Sequence, residues 1–343
     1  MVTERGLQVL RAIVQDYVET HEPVGSRSIV DRHSFGVSAA TIRNDMAQLE
    51  DEELITAPHT SSGRVPTDKG YRVFVNHLAQ LRPLSSAQRS AIESFLADPA
   101  DLDDLMARTV RVLTQLTGQV ALAQYPSFAR ARVTHVELVA LAPNRLLTVL
   151  VTDAGGVSQR MTVLPDAIDE TDLGVLRARL SALITGQAIA EASERLQTLL
   201  AAEETPRDRV LRTLAGVLVD ELGGFRQERL VMAGAATLAR REHDFRGSIH
   251  PLLEAIEEQV TLLRLMSEMV ADEHGLAASI GTENAPFGLG EASIVASDYA
   301  APTGTARVGV MGPTRMDYPS NLAAARAVAR YLSRMLDDDE AGR

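Results

Sequence analysis

Residues 37–72, VSAATIRNDMAQLEDEELITAPHTSSGRVPTDKGYR, constrain the fold more than any other stretch of this 343-residue chain. Ser38 is placed to cap a helix over residues 39–52. Leu54-Ile55 then leads into a hairpin with Ser61-Ser62-Gly63 at its tip, and Thr67 caps another helix. That order is the second half of a winged helix-turn-helix. The first half precedes it. Residues 4–19 repeat Leu10, Ile13, Val14 and Tyr17 at helical spacing, with Thr3 as N-cap. Pro23 and Gly25 break the chain, Ser26 opens a short helix to about Arg32, and Gly36 turns it.

The third helix is the expected reading element. With Ile42 at the centre of its buried face, Met46 and Leu49 join it and Asp45 lies at the edge. Ala40, Arg43, Asn44 and Ala47 then point the other way, with Thr41 and Gln48 on the flank. Arg43 can fork onto guanine or a phosphate, and Asn44 can pair with adenine. Both occupy the N-terminal half, where a recognition helix meets base edges. Ser38 can cap the helix or bind a phosphate there. Arg27, Arg64, Lys69 and Arg72 are candidate phosphate contacts. A plain three-helix bundle also leaves an Arg-Asn pair exposed. The hairpin with its glycine tip and basic flank favours DNA.

The net charge of −12 argues against a protein that coats nucleic acid generally. Residues 1–82, however, carry nine Lys and Arg against eleven Asp and Glu, and the remainder carries 25 against 35. The acidity therefore sits mostly outside the candidate DNA module. Zero cysteines exclude disulfides, Cys-ligated zinc and thiol catalysis, and fit a cytoplasmic protein. The charged N-terminus is neither signal peptide nor anchor, and no apolar run is long enough to span a membrane.

A linker near Arg82-Pro83 ends the module, and Ser85 with Gln88 forms a capping box for the next helix. A helix from Leu102 stops at Gly118, and strands follow at 120–123, 133–141 and 146–151, then a turn at 153–156 and a strand at 157–163. Leucine stripes at 173–183, 196–200 and 210–222 mark three helices. A helix carrying Leu252, Leu253, Ile256, Val260 and Leu263 follows, with strands at 277–281, 293–297 and 306–311 and a last helix over 321–336 before an acidic tail. Strands on both sides of a helical block suggest one α/β domain with an insertion, or two consecutive domains.

PVGSRSI (23–29), SAATIRNDMAQLE (38–50), PHTSSGRVPTDKGYR (58–72), IGTENA (280–285) and GVMGPTRMDY (309–318) closely resemble the heat-inducible transcription repressor family HrcA. The resemblance implies a multidomain α+β protein: a winged helix-turn-helix over 1–82, a GAF-like α/β domain over 83–165 and 231–343, and an inserted helical dimerisation domain over 166–230. It implies a homodimer on double-stranded DNA at an inverted-repeat operator, the CIRCE element, upstream of chaperone genes. It also implies dependence on a GroEL-type chaperonin, whose occupation by unfolded protein relieves repression. The sequence departs from the family at Asp51-Glu52-Glu53, where relatives tend to have Gly before the wing. Acids at a helix C-terminus oppose its dipole.

Arg315 and Asp317 are candidates to line a ligand pocket, which would make the chain a metabolite-sensing repressor. The preferred alternative pairs Arg315 with an acid, since chaperonin control needs no ligand. His243, Asp244 and His250 lack a third converging group, so no metal or cofactor is assigned. Gly288-Leu-Gly290 reads as a loop. No Ser/His/Asp order, paired-carboxylate motif or P-loop supports an enzyme. Leucine stripes such as those at 173–183 and 210–222 are more often internal core than interface, but an interface role gains weight here because a two-fold operator needs a two-fold protein.

Overall fold

Side-chain caps start the first and third helices where the sequence places them. In the computed structural model α1 (Glu4–Thr20) begins at Thr3, whose hydroxyl accepts Gly6 N–H at 3.0 Å. α2 (Ser26–Arg32) follows, and α3 (Ala39–Asp51) begins at Ser38, which accepts Thr41 N–H at 3.2 Å. Leu10, Ile13 and Val14 of α1, Ile29 of α2, and Ile42 and Leu49 of α3 are all buried. β1 (Ile55–Thr56) and β2 (Val65–Pro66) form an antiparallel hairpin. Val24 pairs with Arg64 through two backbone bonds of 2.9 Å, adding a third strand position to it. Gly63 is needed there: a Cβ would lie 2.6 Å from Val24 backbone atoms. The structure describes residues 2–59, 62–78, 83–126, 131–202, 208–226, 229–245, 247, 249–301 and 304–341, so Ser61 of the expected tip and Arg82 of the expected linker lie outside it.

The end of α3 is a Schellman turn. Glu53 N–H binds Glu50 O and Leu54 N–H binds Leu49 O, each at 2.9 Å. Glu53 takes φ +60°, the conformation glycine adopts most cheaply. This residue is one of the three acids that depart from the family pattern. α4 (Asp68–Asn76) starts from Thr67, which accepts Gly70 N–H at 3.0 Å. A Cβ on Gly70 would collide with the Leu54 carbonyl, so glycine lets α4 close onto the hairpin entry.

Beyond this come α5 (Ser86–Leu96), α6 (Leu102–Thr117), β3 (Val120–Gln124), β4 (Val133–Ala142), β5 (Arg145–Thr152) and β6 (Val157–Val163). Then follow α7 (Glu170–Ile184), α8 (Ile189–Ala201), α9 (Arg209–Arg226), β7 (Leu230–Ala233) and α10 (Ala235–Arg240). The chain ends with α11 (His250–Glu258), α12 (Val260–Glu268), β8 (Leu276–Ile280), β9 (Ala292–Ala301), β10 (Gly304–Pro313) and α13 (Tyr318–Ala341). The Ser85–Gln88 capping box forms, with both bonds made. The single helix expected across 252–263 is two, because Gln259 sits at φ +57° between α11 and α12. The expected acidic tail is part of α13.

The chain divides into two units. The first comprises 1–124, 230–299 and 307–333. Its sheet has the order β7-β3-β10-β9-β8. Strand alternation turns Val120, Leu122, Ile294, Ala296 and Met311 to one face, where they share a core with Leu252, Leu262, Leu265 and Met266 of α11 and α12.

The second unit comprises 125–229, 300–306 and 334–343. Here β4, β5 and β6 form a separate three-stranded sheet. Residues 133–163, expected in the first part of the GAF-like domain over 83–165, thus belong elsewhere. Val133, Val136, Leu138, Leu146 and Leu150 share one core with Leu173, Leu180, Leu214, Leu218 and Leu222. The compact stretch is therefore 125–229, longer than the 166–230 expected as an insertion. Most of the leucine stripes belong to this internal core: Leu173, Leu180, Leu211, Leu214, Leu218 and Leu222 are at most 1% exposed, while Leu176 and Leu183 are half-buried against it.

Candidate nucleic-acid interface

The burial of α3 sets its two faces apart. Ile42, Asp45, Met46 and Leu49 are buried, whereas Ala40, Arg43, Asn44, Ala47 and Gln48 are exposed and Thr41 is half-buried. Ser38 holds the N-terminus, with its hydroxyl 3.1 Å from the Thr41 hydroxyl as well. Arg27 and Arg43 are exposed and form no ion pair among the described residues. The exposed face offers a guanidinium and two carboxamides flanked by alanines, which permit close approach to base edges.

Asp45 is nearly buried in the middle of the helix, and a buried carboxylate needs a cation. Arg5 of α1 supplies it as a fork, with Nε to Oδ2 at 2.8 Å and a terminal nitrogen to Oδ1 at 3.0 Å. Hydrogen bonding and then charge from Asp45 push the Arg5 guanidinium further up, so it stays protonated. Asp16 of α1 is likewise buried, with His33 Nε2 at 3.0 Å and Arg32 at 3.6 Å. These pairs tie α1 to α3 and to the end of α2. Neither was identified from sequence. The signal was present for Asp45, an acid bordering the apolar stripe.

The candidate phosphate contacts on the hairpin and α4 are engaged within the chain. Arg64 Nε and a terminal nitrogen each lie 2.9 Å from Glu50 Oε2, and the guanidinium also reaches Ser62 O at 3.3 Å. Lys69 Nζ donates to Glu52 O at 2.8 Å and lies 3.4 Å from Glu53 Oε2. It thereby places a cation at the C-terminus of α3, answering the acids that oppose the dipole there. Arg72 pairs with Glu283 and donates to Ala278 O at 2.8 Å. Lys69 is exposed and Arg64 and Arg72 are equally half-buried, but Arg72 alone faces β8 and the turn after it.

The distal motifs are built into the first unit. Arg315 pairs with buried Asp244, as the structural alternative expects, and His243 lies 3.1 Å from the same carboxylate. Asp317 Oδ1 accepts Ser320 N–H at 3.1 Å at the start of α13. Among the described residues no group of three or more His, Asp or Glu is arranged to hold a metal, and no helix is long and apolar enough to cross a membrane.

The profile described as HrcA protein C terminal domain matches residues 103–321. A heat-inducible transcription repressor HrcA of Clavibacter michiganensis subsp. michiganensis is 62% identical over 339 residues, 98% of this chain and 100% of that protein. The protein of that name from Leifsonia xyli subsp. xyli is 59% identical over 339 residues, with the same coverage of 98% and 100%. A crystal structure of a hypothetical protein superposes with a TM-score of 0.67 at 24% identity, covering 98% of this chain and 99% of that one. That likeness concerns the fold alone.

Proposed function

Because the chain belongs to the heat-inducible transcription repressor HrcA family, we propose that it silences chaperone genes by binding the inverted-repeat CIRCE operator as a homodimer. In this reading residues 1–78 form a winged helix-turn-helix, and the five-stranded sheet with its helices forms a GAF-like domain. The observation that carries it is the face of α3. Arg43, Asn44 and Gln48 stand in solvent on a capped helix, while the opposite side is anchored by Ile42, Asp45, Met46 and Leu49. A base-reading helix requires that combination of free polar edge and rigid backing. Ser38, Thr41, Arg43, Asn44 and Gln48 are the base-side set. Arg27 and Arg64 are the nearest phosphate contacts, Arg64 after leaving or sharing Glu50.

A GroEL-type chaperonin keeps the repressor in its folded state, and unfolded protein competes for it on heating. The protein works in the cytoplasm, and no catalytic step is part of this reading. The test is a gel-shift titration of the full-length protein on the inverted repeat and on random DNA. It is run with and without chaperonin and across temperature. Selective binding that chaperonin raises and added unfolded protein lowers is the expected result. Equal affinity for both DNAs would overturn operator recognition, and indifference to chaperonin would overturn the titration mechanism.

A further inference from the structure

Residues far apart in sequence, Asp68–Arg72, Thr282–Glu283 and Tyr318, meet within the first unit. Asp68 opens α4, and its Oδ2 accepts the Thr282 backbone N–H at 2.9 Å. One turn later Arg72 lays its guanidinium along the Glu283 carboxylate. Its Nε donates to Oε1 at 2.7 Å, and a terminal nitrogen donates to Oε2. That terminal nitrogen also donates to Ala278 O in β8. Between the two, Tyr71 packs on Tyr318 with ring centroids 5.5 Å apart, both rings buried.

The receiving surface is tied down by its own hydrogen bonds. Glu283 is aimed by the Ile280 N–H, which it accepts at 2.9 Å. Asn284 beside it is fully buried and donates to Ala292 O at 2.8 Å, fastening the turn to the sheet. Gly281 at φ +51° admits Asp68, because a side chain there would strike the carboxylate. None of this covers Arg43, Asn44 or Gln48, which stay exposed. The joint orients the reading face without blocking it.

We propose that the Arg72–Glu283 pair, together with Asp68 on Thr282, is a latch that fixes the direction in which α3 is presented. Arg72 then serves operator binding as a positioning residue and not as a phosphate contact. The proposal rests on the reading of this chain as a dimeric inverted-repeat binder. On a two-part operator the second reading head engages at high effective concentration only when its direction is set. A loosened joint weakens the full repeat and spares an isolated half-site.

The full-length protein and its Arg72→Gln, Glu283→Gln and doubly substituted forms are titrated on the full inverted repeat and on a single half-site, over a salt series. Each single variant is expected to bind the full repeat about tenfold more weakly and the half-site within about twofold, with no further loss in the double variant. The salt slope stays that of the parent. Arg72→Gln weakening both DNAs and reducing the slope by about one, with Glu283→Gln silent, would make Arg72 a phosphate contact and overturn the latch. Parental affinity in both single variants would overturn it as well.

A second measurement needs no DNA. The chain has no cysteine, so Gln8→Cys and Glu257→Cys, both exposed positions, accept spin labels cleanly. A narrow distance distribution that broadens on adding Glu283→Gln supports the latch, and one that does not change refutes it. A parent that binds neither DNA would sink the repressor reading, and the spin-label distances would still judge the latch.

Discussion

Arg43 and Asn44 stand in solvent on a helix whose other side is buried, and Arg43 has no ionic partner among the described residues. Arg43→Ala should therefore weaken operator binding by about 1–3 kcal/mol and relax preference at one base position per half-site. Binding competition against single-base operator variants reads this out. An equal loss on operator and random DNA would reassign Arg43 to the phosphate backbone. Periodicity located this face, because a helix has only one buried side and Ile42, Met46 and Leu49 define it. It did not locate the engagements of Arg64, Lys69 and Arg72. Their acceptors lie 14, 17 and 211 residues away, and no local pattern carries such distances. Glu53 is a second case where one residue decides an energy. It holds a left-handed conformation at the end of α3, and its Lys69 pair is exposed enough to contribute little. Glu53→Gly removes the strain at some cost in chain entropy, so urea denaturation should register a gain of about 0.5–1 kcal/mol. A loss of stability would mean that the Lys69 contact matters more than the backbone.

Most helices and strands were legible, since caps and apolar spacing are local. The assignment of strands to sheets was not. β4, β5 and β6 look like any half-buried antiparallel strands, and only their shared core with α7, α8 and α9 takes them out of the larger sheet. β7 was missed because LVMA has no alternation to mark it, and it pairs with β3 more than 100 residues before it. The packing of α9 on β6 carries a titratable group. Glu221 is buried with one oxygen 2.7 Å from Arg160 Nε, and burial pushes its carboxyl up while Arg160 opposes the shift. A raised folded pKa means that the folded state holds this proton more tightly than the unfolded chain. Its stabilising contribution is complete below the ordinary glutamate range and is lost as pH rises through the raised value. Glu221→Gln should thus flatten the pH dependence of stability across that window, measured by urea unfolding at a series of pH values. An unchanged slope would assign the dependence to other groups.

The homodimer proposed for a two-fold operator needs a free apolar surface, and most of the leucine stripes do not provide one. Leu173, Leu180, Leu211, Leu214, Leu218 and Leu222 are internal core, and only Leu176 and Leu183 among the leucines of the interface stripes keep partial exposure. The outer face of the three-stranded sheet does provide one. Registered pairing lines up Val139, Leu147 and Met161 across all three strands, and Val151 with Val157 further along the same face. Met161 is 73% exposed and Val163 64%, an unusual state for apolar side chains on adjoining sheet positions. Sequence alone does not separate this face from the buried one, because alternate residues on both are apolar. If a second copy covers it in the repressor, a charge at its centre must be desolvated on association, which is costly without a partner. Met161→Glu should then yield a folded monomer by sedimentation, with far-ultraviolet dichroism unchanged. Affinity for the full inverted repeat should fall toward that for a half-site, since the gain from linking two reading heads is lost. A variant that stays dimeric with full operator affinity would exclude this face and direct the search for the two-fold contact to the first unit.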